Sequence, residues 1–270
     1  MTKIRNLTQR FAIPFAVIFT VAAYWLMIGI SELTGQLTNS RLIFELVQMT
    51  WPILLAIALG YGYICTMKGF GKTLKAGCLY LGFYLLLAII TVFTVEEGTR
   101  WESTSNILLG ILAMIGIGIR EEFQFRGIIG NALALKYMKT TKGLWLTLIV
   151  SSLLFGFVHM FNILAGVTLK GAFLQSLGAA GVGLITMAIY LRGGNIWLVA
   201  LIHAVIDFVG LFDSTFIISE VTETDQMSNL SSIGPLVTIP AGILIAMFLF
   251  RKSKRQEVFD HFDALRAKFG

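Results

Sequence analysis

The stretch "GIGIREEFQFRGIIG", Gly116 to Gly130, places Arg120, Glu121, Glu122 and Arg126 inside a segment otherwise suited to hydrocarbon. A charged side chain near the centre of a bilayer costs at least ~2.5–3.5 kcal/mol on insertion scales, so four of them together need partners and a task. That the setting is a membrane follows from composition. Hydrophobic residues make up 56% of the 270 and charged residues 13%, where a soluble domain carries about a quarter charged. Mean hydropathy is +0.81.

Working outward, apolar runs recur eight times, at about 11–30, 43–67, 76–95, 106–135, 143–165, 172–191, 195–212 and 233–250. Each approaches the ~20 helical residues that cross a hydrocarbon core of ~30 Å. Open sheet edges in lipid leave backbone groups unpaired, so the spans are expected to be helices. The expected fold is therefore an all-α polytopic membrane protein of about eight transmembrane helices. Residues 1–250 read as one transmembrane helical domain with its chemistry at about 106–212, and 251–270 as a cytoplasmic amphipathic tail.

Loop charges set the orientation, since Lys and Arg beside spans are retained in the cytoplasm. Lys3, Arg5 and Arg10 precede the first run; Lys68, Lys72 and Lys75 follow the second; Lys136, Lys139 and Lys142 follow the fourth; Arg192 follows the sixth; Arg251, Lys252, Lys254 and Arg255 follow the eighth. All fall inside if both termini are cytoplasmic. Glu96, Glu97, Glu102, Asp213, Glu220, Glu223 and Asp225 then lie outside, with Lys170 the exception.

The net charge of +6 resides in joints beside spans, where it serves topology and anionic lipid, so no nucleic-acid partner is expected. The first run is long for a signal peptide and no small-x-small cleavage site follows it. Cys65 and Cys78 flank a joint assigned to the reducing cytoplasm, and read as packing residues rather than a disulfide or zinc knuckle. In the tail "QEVFDHFDALRAKF", Val258, Phe262, Leu265 and Phe269 share one helical face, as in an interfacial helix. His261 reads as solvated.

Within the charged segment, Glu122 and Arg126 stand four apart with the acid N-terminal, the favourable order for an intrahelical pair. Glu121 is rotated by ~100° and left without a partner on its own helix. Two histidines lie in later runs, His159 in "LLFGFVHMFN" and His203 in "LVALIHAVIDFVG", the second followed four residues on by Asp207. At ~1.5 Å per residue from the cytoplasmic ends, Glu121 lies ~22 Å up, His159 ~24 Å, and His203 and Asp207 ~14–20 Å. Groups from three helices therefore meet at one level. A carboxylate, two imidazoles and a second carboxyl in a dry cavity are suited to activating water and stabilising an oxyanion, as amide hydrolysis requires.

Three motifs in order carry a resemblance: "EEFQFR" fits E-E-x-x-x-R, "FGFVH" fits F-x-x-x-H, and "HAVID" fits H-x-x-x-N/D. Over about 106–212 the chain resembles the CAAX-protease and bacteriocin-processing (CPBP, or Abi) intramembrane proteases, and is similar to their type II CAAX prenyl endopeptidases. The resemblance implies that Glu121 and His159 activate the attacking water, that Glu122 and Arg126 support them, and that His203 and Asp207 form the oxyanion hole. Asn is usual where Asp207 stands. A protonated Asp207 donating to the oxyanion, an Asp207 orienting His203, and an Asp207 ligating metal all remain open. Glu121, His159, His203 and Asp207 could together hold a divalent ion such as zinc, although no H-E-x-x-H helix is present.

Sequences for a rhomboid-type G-x-S-G or a presenilin-type G-x-G-D are absent from the chain. A non-catalytic transporter or bacteriocin-immunity protein is the alternative, disfavoured because no duplication places the prolines symmetrically. The expected partners are membrane lipid and a hydrophobic or lipidated peptide substrate, and the expected location is a bacterial plasma membrane.

Overall fold

The structure, a computed structural model, describes residues 2–218, 222–229 and 232–269. Glu220 of the acidic joint and the side chain of Phe269 in the tail lie outside the described residues. Helices form in chain order: α1 (Thr2–Arg10), α2 (Ala12–Leu37), α3 (Arg41–Ala58), α4 (Phe70–Phe93), α5 (Thr104–Glu122), α6 (Asn131–Tyr137), α7 (Thr141–Val158), α8 (Leu169–Gly193), α9 (Ile196–Gly210), α10 (Phe212–Phe216), α11 (Glu223–Ser228), α12 (Ile233–Leu249) and α13 (Lys252–Phe269). A π-helical segment, Phe123–Gly130, joins α5 to α6, and a 3-10 turn, His159–Ala165, follows α7. Among the described residues there is no strand, only an isolated bridge between Trp101 and Ile217.

The eight apolar runs each hold a helix, but among the described residues only five helices, α2, α3, α4, α7 with its 3-10 extension, and α8, are long and apolar enough to cross a membrane. A sixth arises if α12 and α13, bent by 81°, count together. The shortfall has local causes. The 106–135 run is divided by its own charges and π segment, and α9 has 15 residues, ~22 Å of helix, short of a full crossing.

The helices that carry the charged groups begin at side-chain caps. Ser103 accepts from the Asn106 amide at 3.3 Å, Thr140 from Gly143 at 3.1 Å, Thr168 from Gly171 at 3.2 Å and Asn195 from Leu198 at 2.8 Å. Each satisfies a backbone donor left open by the first helical turn. Gly194 ends α8 at φ +87°, a left-handed conformation that favours glycine.

Packing relies on small residues. A methyl group on Gly156 of α7 would stand 2.5 Å from the Ser176 carbonyl of α8, and Gly118 of α5 is as tightly pressed against the Ala200 backbone of α9. Such contacts bring helix backbones close where apolar burial alone cannot select a partner.

Joints gather at two opposite ends. At one, Arg5 donates to the Gly60 carbonyl (3.2 Å), Lys136 to Arg10 (2.5 Å), Arg266 to Leu135 (3.2 Å), and Arg192 pairs with Glu257 (2.7 Å). At the other, Ile218 donates to Arg100 (2.8 Å) and Thr168 to the Ser228 hydroxyl (3.0 Å). The tail differs from an interfacial helix: Val258, Phe259 and Phe262 of α13 are buried in the core cluster with Leu265 beside them. Its apolar face is turned onto the bundle. Cys65 and Cys78 are both free thiols; Cys65 packs against the core, whereas Cys78 is exposed rather than packed.

Candidate active site

Glu121 and Glu122 end α5, where the backbone passes into the wider π segment. In such a segment each residue turns through less than 100°, which leaves carbonyls that the regular ladder does not satisfy. Asn131 fills that role: its amide nitrogen donates to the carbonyls of Arg126 (3.0 Å) and Gly127 (2.9 Å) and lies 2.8 Å from the Tyr190 hydroxyl. Its oxygen accepts from Tyr63 at 2.9 Å. Ser151 donates to the Phe125 carbonyl at 3.1 Å. Residues 122–135 are all buried.

The anticipated pair forms: Arg126 Nε lies 3.0 Å from Glu122 Oε2, with both side chains at 1% exposure or less. The approach lacks hydrogen-bond alignment, so this contact is a charge pairing. Arg126 also donates to the Thr186 hydroxyl and stacks its guanidinium 4.2 Å above the Phe155 ring, a cation–π contact strengthened by desolvation. Glu122 has a second task that its spacing did not suggest. Its Oε1 lies 2.8 Å from His203 Nδ1. A carboxylate accepts, so Nδ1 carries hydrogen and the tautomer and ring angle of His203 are fixed.

Glu121 is not the isolated carboxylate its helix face implies. Oε1 sits 3.7 Å from Arg120 Nη2, its sequence neighbour, and Oε2 sits 3.6 Å from His203 Nε2. The same Nε2 is 3.6 Å from Asp207 Oδ1. Asp207 Oδ2 is buried without a hydrogen-bond partner, a condition costly for an acceptor unless a proton or a ligand meets it.

His159 stands where α7 gives way to the 3-10 turn. Its Nδ1 is 2.8 Å from the Phe155 carbonyl, which can only accept, so Nδ1 donates and Nε2 is left as the acceptor in the neutral ring. Phe155 does more than fill the motif. It meets His159 edge-on at 5.0 Å and His203 at 5.6 Å, besides carrying Arg126 on its face.

Glu121, His159, His203 and Asp207 all line one cavity of about 330 Å³, within the range of small-ligand sites. Polar groups that sequence reasoning passed over also line it, among them Gln124, Asn162 and Gln175. A second cavity of about 220 Å³ is lined by His159, His203 and Asp207 too, together with Gly178 of α8 and Pro235 of α12. Glu122 and Arg126 line neither; they lie beneath. Among the described residues no group of three or more His, Cys, Asp or Glu side chains is arranged to hold a metal ion. His159 Nδ1 and His203 Nδ1 are turned to a carbonyl and a carboxylate, contacts that fix the ring and leave each Nε2 as the nitrogen open to a ligand.

Residues 103–209 match the family described as type II CAAX prenyl endopeptidase Rce1-like. That segment runs from the cap of α5 almost to the end of α9 and contains Glu121, Glu122, Arg126, His159, His203 and Asp207. It agrees with the family that the three motifs resemble. No curated protein matches the chain, and no solved structure does.

Proposed function

We propose that the chain is an intramembrane endopeptidase that cuts a membrane-associated, hydrophobic or lipidated peptide with water activated by Glu121 and His159. The observation that carries this reading is the convergence of Glu121, His159, His203 and Asp207 on one cavity, with each imidazole oriented by an acceptor behind it. A transporter needs ionisable groups along a path, whereas these form one cluster above a closed floor.

Water held between the Glu121 carboxylate and His159 Nε2 attacks the scissile carbonyl carbon, and Glu121 takes its proton. The carbonyl oxygen becomes an oxyanion facing His203 and Asp207. A proton on His203 Nε2, or on Asp207, donates to that oxygen where charge develops. When the tetrahedral intermediate collapses, the C–N bond breaks and the proton taken by Glu121 passes to the leaving nitrogen. One water is consumed; a carboxyl and an amine result. Glu122 and Arg126 act through His203, keeping Nδ1 engaged so that Nε2 faces the cavity.

The test is cleavage of a panel of short apolar peptides by detergent-purified protein beside its Glu121→Gln variant. Cleavage by the parent and none by the variant is expected. A parent that cuts only soluble polar peptides, or none, would remove the reading.

A further inference from the structure

A third cavity, of about 200 Å³, lies between the joint after α3, the end of α8 and the tail α13, at the end of the bundle where Arg192 meets Glu257. The reaction proposed above makes no use of it. Its apolar walls are Ile64, Leu191, Phe262 and Leu265. Deeper in stand Asn131 and Tyr190, 1% and 5% exposed, with Tyr63 beside them. Tyr63 gives its hydroxyl hydrogen to Asn131 Oδ1, whereas the Tyr190 oxygen accepts from Asn131 Nδ2. An amide nitrogen cannot accept in return, so among the described residues the Tyr190 hydrogen meets no acceptor. A buried donor left in that state is costly, and what it lacks is an oxygen.

The exposed part of the lining supplies charge: Lys68 from the joint, His261 and Lys268 from α13. No acidic residue lines the cavity among the described residues. The acids of α13 are engaged elsewhere, Glu257 with Arg192, Asp260 with Gln256 and Asp263 with Arg266, and none pairs with Lys68. The joint is also held in place from behind. Asn195 donates to the Lys68 carbonyl at 3.2 Å and Trp197 Nε1 to the Cys65 carbonyl at 3.0 Å. Gly69, at φ +77°, lies so close to α8 that a methyl group on it would stand 2.1 Å from the Gly193 carbonyl oxygen.

We propose that this cavity binds the phosphate of an anionic phospholipid headgroup, with Lys68, His261 and Lys268 around its charge and the Tyr190 hydroxyl donating to one of its oxygens. Basic pockets at the cationic end of a helical bundle suit such headgroups, and donors to an ionised oxygen form the stronger class of hydrogen bond. A zwitterionic headgroup would bring a cation with no carboxylate to meet it. The acyl chains have a surface to follow: Met67 and Phe70, on either side of Lys68 in the chain, are 61% and 44% exposed, and α4 beyond them is almost unburied along its apolar length. The bound lipid would tie the tail to the joint after α3. None of this depends on the protease reading.

The test is the melting temperature of the detergent-purified full chain as short-chain phosphatidylglycerol, short-chain phosphatidylcholine or inorganic phosphate is added. Phosphatidylglycerol should raise it saturably, as a ligand of the folded state does, and the other two should not at equal concentration. Lys68→Gln and Tyr190→Phe should each need about tenfold more phosphatidylglycerol for the same rise. Lys139→Gln, which removes a charge that does not line the cavity, should match the parent. Phosphatidylcholine as effective as phosphatidylglycerol, or a Lys68→Gln response equal to that of the parent, overturns the site. An equal rise with inorganic phosphate makes it a site for the free anion and overturns the lipid. A Tyr190→Phe variant that responds like the parent while Lys68→Gln does not overturns the hydroxyl contact; Lys68, exposed at the surface, keeps the test open if Tyr190→Phe fails to fold.

Discussion

Glu121 and Glu122 are chain neighbours with opposite surroundings, and substitution should separate their roles. Glu121→Gln keeps shape and removes the basic charge, so turnover should fall below detection while the melting temperature stays near that of the parent. Arg126→Ala strands a fully buried Glu122 and should cost ~3–5 kcal/mol of stability, as in soluble proteins whose buried pairs are broken; thermal unfolding in detergent reads it. A stable, inactive Arg126→Ala beside an active Glu121→Gln would reverse the assignment. Asp207 separates the oxyanion and metal readings. Asn supplies a permanent donor, so Asp207→Asn should remain active and lose any decline in rate as pH rises through the Asp207 titration, whereas Asp207→Ala should lose ~100-fold or more. An inactive, metal-depleted Asp207→Asn beside a metal-containing parent, by elemental analysis, would make zinc essential. The i,i+4 spacing made the Glu122–Arg126 pair legible in the sequence, because both partners lie on one helix. The Glu122–His203 contact was not, since it joins residues 81 apart and depends on how α5 and α9 cross.

Single elements carry the next level of control. Caps at Ser103, Thr140, Thr168 and Asn195 are local, each side chain accepting from an amide of its own first helical turn. The π segment was not legible in the sequence, since the contacts that satisfy it include side chains from other helices, Ser151 on the Phe125 carbonyl and Tyr190 on Asn131. Asn131 is its internal clasp. Asn131→Leu leaves the Arg126 and Gly127 carbonyls without that donor and should cost ~1–3 kcal/mol. It should also reduce cleavage, because Arg126 and Glu122 stand on the same segment. A variant with parental stability and activity would show that the segment keeps its form without Asn131. Gly118→Val should separate α5 from α9 and, with overpacking costs of ~1–3 kcal/mol, weaken the His203 contacts to both glutamates; Gly118→Ala should do so less.

Over the whole molecule, hydropathy showed where apolar helices form but overstated how many can cross unaided. Length and composition are properties of a run, whereas whether α9 or the divided α5 reaches both surfaces depends on the neighbours that shelter it. The tail's docking was hidden for the same reason: an amphipathic face looks alike whether lipid or protein covers it. No tail residue lines the main cavity among the described residues, so removing 252–270 should lower thermal stability while leaving peptide cleavage within about twofold, in line with the near-additivity of distant sites. The buried belt at 122–135 has an electrical consequence as well. In a cell with a membrane potential, a water-accessible cavity shortens the insulating path, so most of the voltage falls across the closed floor rather than across the full bilayer. At ~2.3 kcal/mol per charge per 100 mV for a complete crossing, a proton reaching Glu121 through the open mouth traverses little of the field, whereas one leaving through the floor would traverse nearly all of it.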